Sequence, residues 1–332
     1  MVLRAVAVSA GASSLGLLSA RSTPEPFSFG ATCELSASRD QWRTWCRMID
    51  DSGCSTLLVS DHFGDQLALV PALAAAIEAT SRVRIGALVA CNDYRHPVMY
   101  AKELATLDVM AEGRIDWGIG AGWLRPEYEQ VGITFDDGAT RAERLFEAVA
   151  VMKRCFADEP FSFDGAHYRV SRLDGRPKPV QRPHPRLLVA GSGRRVLSFA
   201  GEQADIVGVA PSLSSRSIGP TPPRCSVEAA IDRQVEWIAT ATGKRLRPPT
   251  LNMVAFPAIV TNDRLAKARE VAPALGYEPG EVLRSPHAWI GTVEQICESL
   301  ELWRERWGVS YWAVPARALP AVAPVIDRLA GR

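Results

Sequence analysis

Residues 82–123, RVRIGALVACNDYRHPVMYAKELATLDVMAEGRIDWGIGAGW, contain the pattern that decides the fold. An apolar run at 82–91 predicts a buried strand, and RIDWGIGAG at 114–122 predicts a second strand that ends in glycines. Between them, residues 97–113 predict a helix that begins with proline and stops at glycine. A strand, a helix and a strand in this order, with no hairpin dipeptide between them, indicate parallel pairing of the two strands.

The same alternation extends from residue 27 to the C-terminus. Short apolar runs predict eight strands, at 27–33, 55–63, 82–91, 114–122, 186–191, 204–210, 249–260 and 309–315. Amphipathic segments after these strands predict the helices. Eight such units predict an α/β fold of the (β/α)8 TIM-barrel type. The alternative, a doubly wound sheet, usually carries a dinucleotide-binding fingerprint, and GIGAG at 118–122 does not match it.

A hairpin and two further segments complete the predicted organisation. FSFDGAHYRV at 161–170 alternates polar and apolar residues around an Asp-Gly pair, which predicts a small β-hairpin inserted after the fourth helix. No shift in composition marks a domain boundary, so residues 27–332 are predicted to form a single barrel domain. Residues 1–26 are predicted to form a disordered N-terminal leader. The Pro/Ser-rich loop 211–225 follows the sixth strand and is predicted to act as a lid.

Composition excludes several classes of protein. Lys+Arg 38 against Asp+Glu 37 gives a net charge of +1, which argues against a nucleic-acid partner because such binding needs a basic surface. The seven cysteines form no CxxC, and the five histidines form no HxH or HExxH, so neither a disulfide framework nor a metal site is predicted. No segment has the apolar length of a membrane span. Free thiols together with this absence lead us to expect a cytoplasmic protein.

Polar residues follow the second and third predicted strands. In a (β/α)8 barrel the reacting groups lie at the carboxyl ends of the strands. The second strand ends in Asp61-His62, and the third ends in Cys91-Asn92-Asp93, with Tyr94 next in the chain. The Asp-His pair is suited to a hydrogen-bonded contact beside a ligand ring. In the alternative interpretation, the carboxylate only caps a loop and the histidine is only solvated.

The turn after the fifth strand is the second candidate site. AGSGRR at 190–195 follows a strand and opens a helix, so its glycines leave backbone N–H groups free for an anion, with arginines beside them. The alternative interpretation is a tight turn that needs glycine for steric reasons only.

The order of these pieces resembles that of the luciferase-like monooxygenase superfamily, and most closely its branch of coenzyme F420-dependent oxidoreductases. The resemblance rests on LLVSDHFG (57–64), on residues 82–123, on PKPVQRPHPRLLVAGSG (177–193) and on GTVEQICESLELWRERWGVSYW (291–312). It covers roughly residues 27–315. It implies a barrel that holds a deazaflavin ring over its mouth.

The resemblance also implies roles for individual residues. Asp61 and His62 match the polar pair beside the ring, and Leu88-Val89 matches a non-proline cis peptide behind it. The other matched positions line the ring edge (Cys91 and Asn92), approach the cofactor tail (Ala121 and Gly122) and form the phosphate turn (Ala190, Gly191, Ser192, Gly193 and Arg194). The implied cofactor is coenzyme F420, with FMN as the alternative.

One departure from the family pattern bears on the reaction. Sugar-phosphate dehydrogenases of this superfamily place a catalytic glutamate directly after the fourth-strand glycines, and this chain has Trp123 there. A reductase that receives hydride from reduced cofactor therefore fits better than a sugar dehydrogenase. We take His62, Asp61 and Tyr94 as candidate catalytic residues, with His62, Tyr94, water or the substrate as the proton source.

Three functions follow as hypotheses. The first is an F420H2-dependent reductase that transfers hydride to an electron-poor C=C or C=N bond of a small molecule or a peptide, such as a dehydroamino acid in a ribosomal peptide. The second is a two-component monooxygenase that uses FMNH2 and oxygen. The third is a barrel that binds a flavin-like ligand or a protein partner without turnover. A homodimer through helical faces stays open, because this arrangement is common among relatives.

Overall fold

A computed structural model describes residues 24–33, 38–211, 227–243 and 245–332. The strands are β1 (Ser28–Cys33), β2 (Thr56–Val59), β3 (Arg84–Ala87), β4 (Ala90–Cys91), β5 (Ile115–Gly120), β6 (Phe161–Asp164), β7 (Arg169–Leu173), β8 (Arg186–Gly191), β9 (Ile206–Val209), β10 (Thr250–Val254), β11 (Ala258–Val260), β12 (Trp289–Gly291) and β13 (Val309–Pro315). The α-helices are α1 (Arg39–Asp51), α2 (Leu69–Ala79), α3 (Pro97–Met110), α4 (Arg125–Val131), α5 (Gly138–Phe156), α6 (Arg194–Gln203), α7 (Val227–Thr242), α8 (Arg264–Leu275), α9 (Pro279–Val282), α10 (Val293–Trp307) and α11 (Leu319–Leu329).

Eight parallel strands close into a ring. The order around it is β1, β2, β3, β5, β8, β9, β10 and β13, and the pairing of β1 with β13 completes the circle. The predicted (β/α)8 barrel is therefore confirmed. In the part of the chain that the structure describes, no helix combines the length and apolar character that crossing a membrane requires.

The predicted hairpin is also present. Strands β6 and β7 pair antiparallel and follow α5. Glu147 of α5 holds the turn between them, because its carboxylate accepts the backbone N–H groups of Ala166 at 2.8 Å and His167 at 2.9 Å. The hairpin is thereby fixed against the helix that precedes it.

The predicted strand at 249–260 is wrong in its second half. The barrel strand ends at Val254, and β11 leaves the barrel to pair with β12, which the sequence did not indicate. Pro257 lies between the two pieces. Proline has no N–H to offer a ladder, so it separates the barrel strand from the outer two-stranded sheet.

The predicted leader and lid fall mostly outside the described residues. Residues 1–23 and 212–225 are not described, so the disordered leader and the lid stay predictions. The described end of the leader contacts the barrel, because Glu25 accepts hydrogen bonds from Thr250 at 2.7 Å and Ser310 at 3.2 Å.

Two glycines of β5 allow a close approach between barrel strands. A Cβ atom at Gly118 would lie 1.8 Å from the carbonyl oxygen of Ala87, and one at Gly120 would lie 2.8 Å from Cγ2 of Val89. The GIGAG segment therefore has a steric reason for its glycines: β5 passes directly beside the end of β3.

Candidate active site at the barrel mouth

The mouth of the barrel has an apolar floor. Leu88, Val89, Ala190 and Val254 are partly buried at or just beyond the carboxyl ends of strands β3, β8 and β10. They pack on a buried cluster formed by Leu58, Leu188, Ile206, Tyr311 and Ala313. An apolar surface with a few polar groups around it is typical of a ligand-binding site.

The peptide between Leu88 and Val89 is cis, as the resemblance implied. It separates β3 from β4, which were predicted as one strand at 82–91. Next to it, Gly122 has a φ of 76°, and a Cβ there would lie 1.8 Å from the hydroxyl of Tyr128. Ala121 is partly buried beside this turn. The glycine therefore lets the chain after β5 pass close to Tyr128.

Asp61 is held by groups of the protein itself. One of its oxygens accepts Nη1 of Arg95 at 2.8 Å and the backbone N–H of Cys91 at 2.9 Å, and the other accepts Nη2 of Arg95 at 3.1 Å. Its side chain is 9% exposed. This geometry favours a positioning role for Asp61, in which it fixes the segment after β4, over direct contact with a reacting atom.

His62 lies at the mouth with one ring nitrogen engaged. Its Nδ1 is 2.9 Å from Oε2 of Glu127, and its ring meets the ring of Trp123 edge-on at 5.9 Å between centroids. The His62 side chain is 32% exposed and that of Glu127 is 9% exposed. Glu127 therefore fixes one ring nitrogen of His62, and about a third of the side chain stays exposed at the mouth.

Tyr94 donates its hydroxyl to Oε2 of Glu127 at 3.1 Å. Burial, together with the neighbouring Cys91 and Glu127, raises the pKa of Tyr94 well above its usual value. The phenol therefore keeps its proton and directs it at Glu127. The Tyr94 hydroxyl is thus engaged within the protein, whereas the His62 side chain is 32% exposed.

The last residue of β4 and the residue after it are engaged with their neighbours. Sγ of Cys91 is 3.2 Å from the hydroxyl of Tyr128, and burial raises the pKa of the thiol to about 11. The amide of Asn92 is buried and donates to the Tyr168 hydroxyl at 3.2 Å and to Asp93 at 3.3 Å. Cys91 is thus a neutral thiol, and Asn92 links the mouth to the hairpin.

The turn from β8 to α6 has the features of an anion site. Gly193 is the N-cap of α6 and provides no side-chain cap, and a Cβ there would meet nothing within 4 Å. The first N–H groups of the helix therefore lack a capping side chain. Gln234 of α7 supports the turn from behind, because its amide donates to the carbonyls of Ser192 and Ala210, both at 3.0 Å.

The two arginines of this turn differ in their surroundings. Arg195 pairs with Glu143 at 3.0 Å. Arg194 is exposed, and within the described ranges no carboxylate pairs with it. The guanidinium of Arg194 is therefore exposed at the turn, whereas that of Arg195 already has Glu143 as a partner.

Glu127 is the residue that sequence reasoning missed. It lies on α4, a short helix to which no element was assigned, four positions after Trp123. The signals for this helix were present, since Pro126 stands in the first turn and Gly132 ends it in the left-handed conformation. The contact with His62 joins residues 65 positions apart and could not be read from spacing.

Comparisons with known proteins agree with this architecture. The chain matches FMNH2-dependent dimethylsulfone monooxygenase of Pseudomonas putida with 31% identity over 40% of this chain and 36% of that protein. It matches F420-dependent glucose-6-phosphate dehydrogenase of Beutenbergia cavernae with 33% identity over 53% of this chain and 54% of that protein. The alignments therefore span between about a third and about a half of these relatives.

A solved structure and a family pattern extend the likeness to most of the chain. The coenzyme F420-dependent tetrahydromethanopterin reductase of Methanopyrus kandleri has the same fold, with a TM-score of 0.72 at 18% identity over 92% of this chain and all of that one. The sequence model of the luciferase-like monooxygenases matches residues 26–311. Because that match covers well over half of the chain and reaches from before β1 into β13, the chain belongs to the luciferase-like monooxygenase family.

Proposed function

We propose that the protein is an F420H2-dependent reductase that transfers hydride to an electron-poor C=C or C=N bond of a small-molecule or peptide substrate. The observation that carries the proposal is the placement of three features at one barrel mouth. These are the apolar floor around Leu88-Val89, the uncapped turn at Gly193, and His62 anchored by Glu127. Together they suit a flat ring, a phosphate and a proton transfer.

The residues present fit a phosphate-bearing deazaflavin. The floor offers apolar contact to a ring, and the turn at 190–194 offers backbone N–H groups and the exposed guanidinium of Arg194 to a phosphate. A reduced deazaflavin, when bound, supplies hydride. The protein then has to orient the substrate and provide a proton, and His62 is the open polar group at the mouth.

A monooxygenase that uses FMNH2 and oxygen is the second candidate. The specific observation in its favour is the match to the dimethylsulfone monooxygenase, at 31% identity. The apolar floor and the phosphate turn would serve FMN as well, because FMN also joins a planar ring to a phosphate. The two candidates therefore differ in the cofactor that binds more tightly.

The substrate class, the cellular compartment and the oligomeric state belong to the proposal as well. Trp123 is 47% exposed beside His62, and Arg125 stands on the next turn of chain, so an aromatic and basic rim suits a peptide or an anionic small molecule. The described cysteines are unpaired thiols, which suits the cytoplasm. A homodimer stays a hypothesis.

Substituting Gly193 tests the phosphate turn. A Cβ at this position meets no protein atom within 4 Å, so Gly193→Val should fold normally while its side chain enters the space in front of the helix N-terminus. We expect F420 affinity to fall roughly tenfold or more, a loss of about 1.4 kcal/mol. Fluorescence titration measures it. Gly191→Val is a poorer probe, since its Cβ would lie 2.7 Å from Val196.

Two controls make this result specific. Gly138→Val changes another helix N-terminus whose glycine has open space around it, and it should leave F420 affinity unchanged. Arg194→Ala should weaken binding more than Arg195→Ala, because Arg195 already pairs with Glu143. Equal F420 affinity in Gly193→Val and in the wild type would show that the turn is not part of the cofactor site.

A further inference from the structure

Three hydrogen-bond donors converge on one buried carboxylate beside the mouth. Oε2 of Glu127 lies 2.9 Å from Nδ1 of His62 and accepts the hydroxyl of Tyr94 at 3.1 Å, while Oε1 accepts the backbone N–H of Phe63 at 3.2 Å. A carboxylate can only accept hydrogen bonds. The proton in the contact with His62 therefore resides on Nδ1.

This contact decides which tautomer His62 adopts. With Nδ1 protonated and directed at Glu127, a neutral ring carries no proton on Nε2. When the ring is charged, Nε2 gains a proton, and the adjacent carboxylate balances the charge. A group of this kind can give a proton from Nε2 and return to a defined neutral form.

Tyr94 shares the same acceptor oxygen. Its hydroxyl points at Glu127, and burial first, then Cys91 and Glu127, raise its pKa. The phenol therefore stabilises the carboxylate with a hydrogen bond, and its raised pKa makes it a poor proton donor. Phe63 packs against the Tyr94 ring at 4.7 Å between centroids, which holds this arrangement from the solvent side.

We propose that Glu127 is a positioning residue that selects His62 as the proton donor, by fixing its tautomer and by balancing the charge of its protonated ring. This assignment rests on the proposed reductase function. A reduced deazaflavin bound at the mouth would supply hydride to one carbon of the acceptor bond, and Nε2 of His62 would give its proton to the other atom, which keeps the electron pair. The N–H bond breaks, the new bond to hydrogen forms, and the ring returns to its neutral form with hydrogen on Nδ1. Solvent then reprotonates Nε2.

The tautomer itself provides the first test. ¹⁵N NMR of the cofactor-free full chain distinguishes a protonated Nδ1 from a protonated Nε2, and a His62→Gln sample identifies the signals among the five histidines. We expect the neutral ring of the wild type to be in the Nδ1–H form. Glu127→Met removes the acceptor at similar volume, and we expect the ring to shift to the Nε2–H form or to a mixture.

Matched variants keep this result interpretable. Glu129→Met, on the same helix but 64% exposed and 3.8 Å from Arg125, should leave the His62 tautomer unchanged. Glu127→Leu also removes the acceptor, with an apolar side chain, and it replaces Glu127→Met where the latter fails to fold. An unchanged tautomer in the folded Glu127 variant, or an Nε2–H ring in the wild type, would overturn the assignment.

Turnover provides the second test. Partners that orient metal-ligating histidines typically contribute about 10- to 100-fold, and we expect Glu127→Met to lower the rate of F420H2 oxidation by acceptor in the same range while cofactor affinity stays within about twofold. Unchanged turnover with an altered tautomer would overturn the role in proton donation. Because the NMR measurement needs no cofactor, its failure concerns Glu127 alone, whereas failure to bind F420 concerns the proposed function.

Discussion

Replacing His62 by alanine is expected to lower the rate of F420H2-dependent reduction by about 10²- to 10⁴-fold, the usual contribution of a positioned acid or base. His62 is the polar side chain at the mouth that combines an anchored nitrogen with an open one. Its removal takes away the proposed proton source and leaves the apolar floor intact. The measurement is the oxidation of reduced cofactor in the presence of an acceptor, followed by absorbance.

The same variant should fold normally. The His62 side chain is 32% exposed, and Glu127 keeps the hydrogen bonds from Tyr94 and Phe63 when the imidazole is gone. We expect the melting temperature to stay within a few degrees of the wild type, and His167→Ala, on the hairpin, to keep full turnover. A large loss of stability would show that His62 has a structural role. Turnover at the wild-type rate would show that solvent or the substrate donates the proton.

Gly118→Ala is expected to destabilise the barrel more than any other substitution considered, by more than about 3 kcal/mol, so that little folded protein is recovered. The new Cβ would lie 1.8 Å from the carbonyl oxygen of Ala87 and 2.8 Å from its carbonyl carbon. These are backbone atoms of a strand that pairs with β5, so they cannot move aside without breaking the barrel. Thermal unfolding and the soluble yield measure the effect.

Gly138→Ala is the matched control for this prediction. It has open space around its Cβ position and lies in the first turn of α5, where alanine is a better helix former than glycine. We expect it to leave the melting temperature unchanged or slightly raised. A folded Gly118→Ala protein with the stability of the wild type would show that β5 does not approach β3 as closely as the structure has it.

The barrel could be predicted from sequence because its signal is local. Each of the eight strands is a short apolar run followed by an amphipathic helix, and the hairpin at 161–170 carries its own turn dipeptide. The break of the seventh strand could not be predicted to the residue from alternation alone. Pro257 marks it, but the outer sheet exists because β12, some thirty residues later, provides a partner.

The candidate site could be predicted in its position but not in its internal contacts. The carboxyl ends of strands identified Asp61, His62 and the turn at 190–194, which the structure places around one mouth. The partners came from elsewhere in the chain: Arg95 for Asp61 and Glu127 for His62, 34 and 65 positions away. Such pairings depend on how the loops fold over the barrel, and no periodicity encodes them.

Titration of the purified protein with F420 and, separately, with FMN, followed by fluorescence, tests the central claim most directly. The proposed function predicts tight binding of F420 and weak binding of FMN, with the F420 affinity reduced in Gly193→Val. Tighter binding of FMN would contradict the reductase and favour the monooxygenase, with oxygen consumption as the next assay. Binding of neither cofactor would contradict the assignment of the barrel mouth as a flavin or deazaflavin site.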